Sequence, residues 1–142
     1  DYNLTVICYS LNAFIELSDR EDVTLIFAGG YFHRNTLTCE SEEGIELIRR
    51  HRAGKAFLGA TGIHEKLGVT SSNPFEQKLK QTVLESSLTN ILLVDSYKFG
   101  VVRTSYFADI SEFDILVSDA GLTEEYTSIV QQHGLSVMIA DV

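Results

Sequence analysis

Five short apolar runs in this chain are each followed at once by residues able to hold a small polar anion. Ser10 and Asn12 follow the first, Gly29 and Gly30 with Arg34 the second, and Gly59 with Thr61 and Gly62 the third. Asp95 and Lys98 follow the fourth, and Asp119 with Gly121 the fifth. Two further lysines join the set: Lys55 stands immediately before an apolar run, and Lys80 lies four residues after Glu76. Glycines let backbone amides approach an anion, Lys and Arg neutralise it, and Asp or Asn exchanges hydrogen bonds with hydroxyl groups. Together these residue types describe a site for a polyhydroxy anion.

Each candidate also has a plainer reading. An aspartate that ends a strand before a turn is often only a cap, and a lysine is usually a solvated amine. Lys55 could snorkel to solvent, Glu76 with Lys80 could be a helix i,i+4 ion pair worth a few tenths of a kcal/mol, and Gly29 with Gly30 could merely end a strand. The Asp95–Lys98 pair is the most telling, because its spacing sets both groups on one turn.

Elements that could position these residues alternate between β-branched apolar runs and stretches of helical period, the pattern of stacked βαβ units. Strands are expected at Leu4–Tyr9, Val23–Ala28, Lys55–Ala60, Ile91–Val94, Ile115–Val117 and Ser136–Ala140. A helix capped by Ser10 would turn Leu11, Phe14, Ile15 and Leu17 inward, and another opening at Ser41 would bury Ile45, Leu47 and Ile48 before the basic run Arg49–Arg52. Further helices fit Glu76–Leu88, started by Pro74, and Glu124–His133, ended by Gly134. Gly62 to Pro74 reads as a long polar loop. The fold class is therefore α/β, a mostly parallel open sheet with helices on both faces. In such sheets ligands bind beyond the carboxyl ends of the strands, where the candidates lie. No repeat or linker is visible, so 1–142 reads as one domain.

Composition narrows the function classes. With 142 residues, 44% hydrophobic, 22% charged and one Pro, the chain is ordinary globular material able to bury a core. A net charge of -9 repels polyphosphate and anionic lipid, so these residues are not themselves a DNA-binding module. It does not forbid an anion site, because exposed charges beyond about 8 Å are largely screened. His33, His51, His64, His133, Cys8 and Cys39 lack metal-ligand spacing, and no cofactor is expected. No Walker, Rossmann or G-x-S-x-G pattern occurs. No apolar run spans a bilayer and no signal peptide is present, so a cytoplasmic location away from membranes is expected.

Several stretches, taken in order, resemble the C-terminal effector-sensing domain of the DeoR family of bacterial transcriptional repressors. Asn3–Asn12 (NLTVICYSLN) is similar to that family's strand ending in a Ser-Leu-Asn turn, and Phe27–Arg34 (FAGGYFHR) to its Gly-Gly stretch with a basic residue nearby. Lys55–Ile63 (KAFLGATGI) is the most specific match. Glu76–Lys80 (EQKLK) resembles the Glu-x-x-x-Lys helix, and Ile91–Gly100 (ILLVDSYKFG) the Asp-Ser-x-Lys-Phe-Gly segment. The likeness continues through Phe113–Leu122 (FDILVSDAGL) and so covers nearly the entire chain.

The resemblance implies a fold related to ribose-phosphate isomerases and CoA transferases, used to sense a phosphorylated sugar or sugar acid rather than convert it. Its sensing residues would be Ser10, Asn12, Gly29, Gly30, Lys55, Gly62, Lys80, Asp95 and Lys98. It implies a homo-oligomer that meets operator DNA only through an N-terminal winged helix-turn-helix. That segment, and an upstream Asp-Ser-Gly-Thr-Thr type phosphate loop, fall outside these residues, so the chain is expected to be a fragment. Tyr31 and Thr61 depart from the family pattern, where acidic and Asp, Asn or Ser residues are common. The alternative on the same fold is a sugar-phosphate isomerase or deaminase with Asp95 as its carboxylate base. A phosphoacceptor receiver would need two acidic residues after the first strand, where Ser10 and Asn12 stand.

Overall fold

A computed structural model describes residues 3–141. By its internal contacts the chain divides into two compact units, Asp1–His51 and Arg52–Val142.

The first unit opens with β1 (Leu4–Cys8), α1 (Leu11–Ser18) and β2 (Val23–Phe27). β1 and β2 are parallel, with Leu4 opposite Val23 and Cys8 opposite Phe27. α1 makes the crossover and sets the Phe14 ring 4.9 Å from that of Phe27. A short antiparallel hairpin follows, β3 (Tyr31–His33) against β4 (Thr38–Glu40). Ser41 then caps α2 (Glu42–Arg50), accepting from the Gly44 amide. Acidic Glu42 and Glu43 occupy the first turn of α2 and basic Arg49 and Arg50 the last, as its macrodipole favours. Gly44, Ile45 and Ile48 are its buried face.

The second unit runs β5 (Ala53–Gly59), β6 (Gly62–His64), β7 (Gly68–Ser71), α3 (Phe75–Glu85), β8 (Ser87–Leu93), β9 (Ser105–Ala108), β10 (Ile115–Asp119), α4 (Glu124–Gln132) and β11 (Ser136–Ala140). A parallel sheet of order β11-β10-β8-β5 is its frame, flanked by helices, in agreement with the α/β class expected from the sequence. Leu58, Leu92 and Leu116 line one face of that sheet and join Leu84 of α3, Val130 of α4 and Phe107 of β9 in one core. On the alternate positions Phe57, Leu93 and Met138 are exposed.

The stretch expected to be a long polar loop is instead ordered strand. β6 and β7 pair antiparallel, and β9 adds to β7 as a third strand. Hydropathy hides this because β7 buries polar residues that are satisfied internally. Thr70 Oγ1 donates to the Gly62 carbonyl at 3.3 Å and accepts from the Arg103 amide at 2.9 Å, while Ser71 Oγ donates to Glu76. A buried hydroxyl with a partner carries little penalty. α3 ends at Glu85, three residues before the expected end, and Leu88 lies in β8 at 87% exposure. Among the described residues, no helix is long and apolar enough to cross a membrane.

Leu116 is fully buried at the centre of this core, so Leu116→Ala should lower unfolding stability by about 2 to 5 kcal/mol, whereas exposed Ser136→Ala should stay within about 0.5 kcal/mol. Urea midpoints at unchanged slope measure both.

Candidate functional site at the carboxyl edge of the parallel sheet

Three strands of the second unit finish at one edge, because Gly59 pairs with Leu93 and Leu93 with Val117. The chain that leaves β8 there carries Asp95 and a single 3-10 turn, Ser96–Lys98. The Lys98 amide donates to the Asp95 carbonyl at 3.1 Å. Asp95 makes no side-chain cap bond to this turn, so capping is not what its carboxylate does. Its side chain is 60% exposed, with Oδ2 3.7 Å from Lys98 Nζ, and that ammonium also lies 5.6 Å from the centroid of the Tyr97 ring.

Beneath the turn, α3 delivers Lys80 to the same edge. Lys80 and Glu76 are both buried, unlike the exposed i,i+4 pair that their spacing also allowed. Lys80 Nζ donates to the Gly59 carbonyl at 2.8 Å, stands 3.8 Å from Glu76 Oε2 and lies 5.0 Å from the centroid of the Phe107 ring. Glu76 in turn accepts from Ser71 Oγ. Burial pushes the Lys80 ammonium below the ordinary lysine range, the positive charge of Lys98 pushes the same way, and Glu76 pulls back up. The edge thus presents one partly exposed acid–base pair beside one buried pair, with the two ammonium groups in electrostatic reach of each other.

Asp119, at the end of β10, accepts from the Ser96 amide through Oδ2 at 2.7 Å and from the Gly121 amide through Oδ1 at 2.8 Å. These donors hold its carboxyl below the usual range. Beyond it lies a cleft of about 460 Å³ lined by Asp119, Ala120, Gly121, Ala140 and Asp141.

The other sequence candidates are distributed elsewhere. Lys55 lies inside β5, opposite Thr89, and about 13 Å before Gly59 at the usual rise per strand residue. The structure therefore does not bring it to this edge. Gly62 is buried in β6, within the three-stranded antiparallel sheet.

Ser10, Asn12, Gly29 and Gly30 belong to the first unit, where they follow the carboxyl ends of β1 and β2. Ser10 bridges to Thr38 and Asn12 is exposed on α1. The Gly29 carbonyl accepts from Ser41 Oγ at 2.8 Å. Gly30, at φ +136, could not carry a side chain, since a Cβ would stand 2.3 Å from the Glu40 carbonyl oxygen. A cleft of about 620 Å³ opens there, with Gly29, Gly30, Tyr31, Ser41, Gly44 and Arg50 among its walls. Among the described residues, no group of three or more His, Cys, Asp or Glu is arranged to hold a metal ion.

Sequence reasoning missed the buried state of Glu76 and its bond to Ser71, and the joining of Ser96 to Asp119. The only signal was positional: each lies just beyond, or packs under, the end of an apolar run.

An α/β unit whose polar side chains gather at the carboxyl edge of a parallel sheet has them where open sheets of this class bind small ligands. The profile of the DeoR C terminal sensor domain matches residues 1–120, and the chain belongs to that family. It is 31% identical over 134 residues to the deoxyribose operon repressor of Escherichia coli K12, covering 94% of this chain and 53% of the relative. It is 31% identical over 138 residues to the HTH-type transcriptional regulator GolR of Listeria innocua, covering 97% and 54%. It is 26% identical over 138 residues to the HTH-type transcriptional regulator IolR of Bacillus subtilis, covering 97% and 55%. The chain spans about half the length of these relatives. The family is described as a sensor domain and these relatives are named as a repressor and as regulators, which favours the sensing expectation over the isomerase or deaminase alternative.

Because the folded protein holds the Lys80 proton less tightly than the unfolded chain does, its buried charge opposes folding until pH rises through the lowered pKa. Stability should therefore climb between that pKa and the ordinary lysine value of 10.5. Replacing the pair together, Glu76→Gln with Lys80→Met, should remove this climb. Urea midpoints of both proteins across the alkaline range test it, and identical slopes would contradict the buried, charged lysine.

Proposed function

We propose that this chain is the effector-binding part of a DeoR-type repressor, and that it binds a phosphorylated sugar or sugar acid at the carboxyl edge described above. Occupancy of that edge controls operator binding by an N-terminal helix-turn-helix of the full-length protein. The observation that carries the reading is the exposed Asp95 paired with half-buried Lys98 on one short turn, beside the buried ammonium of Lys80. Lys98 is a compact point charge for a phosphate or carboxylate. Asp95, mostly in water and free of any capping bond, accepts from sugar hydroxyls. Lys80 supplies a second positive charge that an anion would relieve of its repulsion from Lys98.

The glycine turn of the first unit, with Ser10, Asn12, Gly29 and Gly30, and the lysine of β5 enter this proposal by family likeness alone, as does Gly62. Support for the DNA partner comes from the regulators that the chain resembles and from its charge of -9, which suits a domain that leaves phosphate-backbone contacts to another segment. Coupling needs only that the effector prefer one arrangement of a homo-oligomer, and a preference of about 1 to 3 kcal/mol changes operator affinity about 5- to 150-fold.

In the full-length protein, Asp95→Ala and Lys98→Ala should leave operator affinity intact and abolish its response to effector. A thermal-shift panel of phosphorylated sugars, beginning with 2-deoxyribose 5-phosphate in view of the deoxyribose relative, identifies the effector. A ligand at a hundred times its Kd adds about 2.7 kcal/mol. Unchanged induction in both variants would overturn the site.

A further inference from the structure

Asp119 is one of the residues marked by its place after an apolar run, but it is not among the groups proposed above to touch ligand, and its carboxylate is engaged from two directions. Its Oδ2 takes the Ser96 amide of the turn that leaves β8, and its Oδ1 takes the Gly121 amide of the turn that leaves β10. Gly121 is confined by the same arrangement: a Cβ there would stand 2.5 Å from Ser96 Oγ and 2.9 Å from Asp119 Oδ1. Three residues from two chain segments thus interlock at the edge of the sheet. Ser96 is the first residue of the turn whose last residue is Lys98, and Asp95 immediately precedes it.

A turn this short has little hold of its own. Within it, the Lys98 amide bonds to the Asp95 carbonyl and the Phe99 amide to the Ser96 carbonyl. The Val94 amide bonds to the Val117 carbonyl just before it. Between Val94 and Lys98, the bond from Ser96 to Asp119 ties the turn sideways to its neighbouring strand. Hydrogen bonds to a charged carboxylate are the stronger kind, and a carboxylate has an acceptor oxygen for each of the two amides.

We infer that Asp119 is a positioning residue: it fixes the Asp95–Lys98 turn against β10 so that the exposed carboxylate and ammonium keep the spacing that a ligand requires. The inference rests on the proposed binding role of that turn and extends it to a residue outside the contact set. A merely structural aspartate would, when altered, lower stability and leave ligand affinity alone. A positioning aspartate also weakens ligand binding when altered, because its contacts set the geometry of the site.

Asp119→Ala discriminates. A methyl group accepts from neither amide, so both Ser96 and Gly121 are released. In the full-length protein, amide hydrogen exchange without ligand should quicken at Ser96 and Lys98 by about tenfold, while Ile91 and Leu92 of β8 keep their rates. Affinity for ribose 5-phosphate, measured by calorimetry beside inorganic phosphate, should fall by a similar factor, with Tm only slightly lowered. Unchanged exchange at Ser96 and Lys98, a general rise across β8 with a much lower Tm, or quickened exchange with full affinity would each overturn the inference. Lys98→Ala is the separate control: if that variant binds ribose 5-phosphate as the unaltered protein does, the binding role of the turn fails, whatever the exchange at Ser96 shows.

Discussion

A lysine ammonium held at 7% exposure governs how the second unit is built. Removing such a charge from water is costly unless acceptors replace the lost hydration. Here the Gly59 carbonyl, the Glu76 carboxylate and the Phe107 ring do so. Each comes from a different element: β5 ends where its last carbonyl can turn toward Lys80, α3 sets Glu76 one turn earlier on the same face, and β9 brings the ring. Ser71 of β7 then satisfies Glu76. Three elements thus meet at a single nitrogen, with β7 behind them through Glu76, and the edge of the parallel sheet is where they meet.

The consequence for function is a division of labour between two acid–base pairs, one at i,i+4 and one at i,i+3. Glu76–Lys80 is closed in and already satisfied, which suits a fixed source of field. Asp95–Lys98 is the more open pair, its side chains 60% and 25% exposed, and both groups can exchange each other for a ligand. Asp119 holds the open pair in place from the neighbouring strand through Ser96. A regulatory domain needs this combination, a rigid floor under a pair of groups whose partners can change.

Much of this was legible in the sequence, and the exceptions have physical causes. The parallel strands, α2 with its Ser41 cap and charged ends, and α4 ending near Gly134 follow from periodicity and capping chemistry. The hairpin of β3 and β4 was not legible, because three-residue strands leave no period to read. Nor was the antiparallel sheet of β6, β7 and β9, whose polar Thr70 and Ser71 are buried with partners that only the tertiary fold supplies. The Asp95–Lys98 turn was found from its place after an apolar run. Spacing alone could not tell whether Glu76 and Lys80 were solvated or enclosed, since i,i+4 fits both. Lys55 entered the candidate set from its place just before an apolar run and from likeness, and strand register sets it inside β5, away from the edge at Gly59.

The most direct test of the central claim is a map of where effector meets the chain. Titrating the isotopically labelled full-length protein with the phosphorylated sugar that stabilises it should shift the backbone amides of Gly59, Ser96, Lys98 and Gly121 together, along one saturation curve. A sugar that binds and saturates while these four signals stay still would contradict the account.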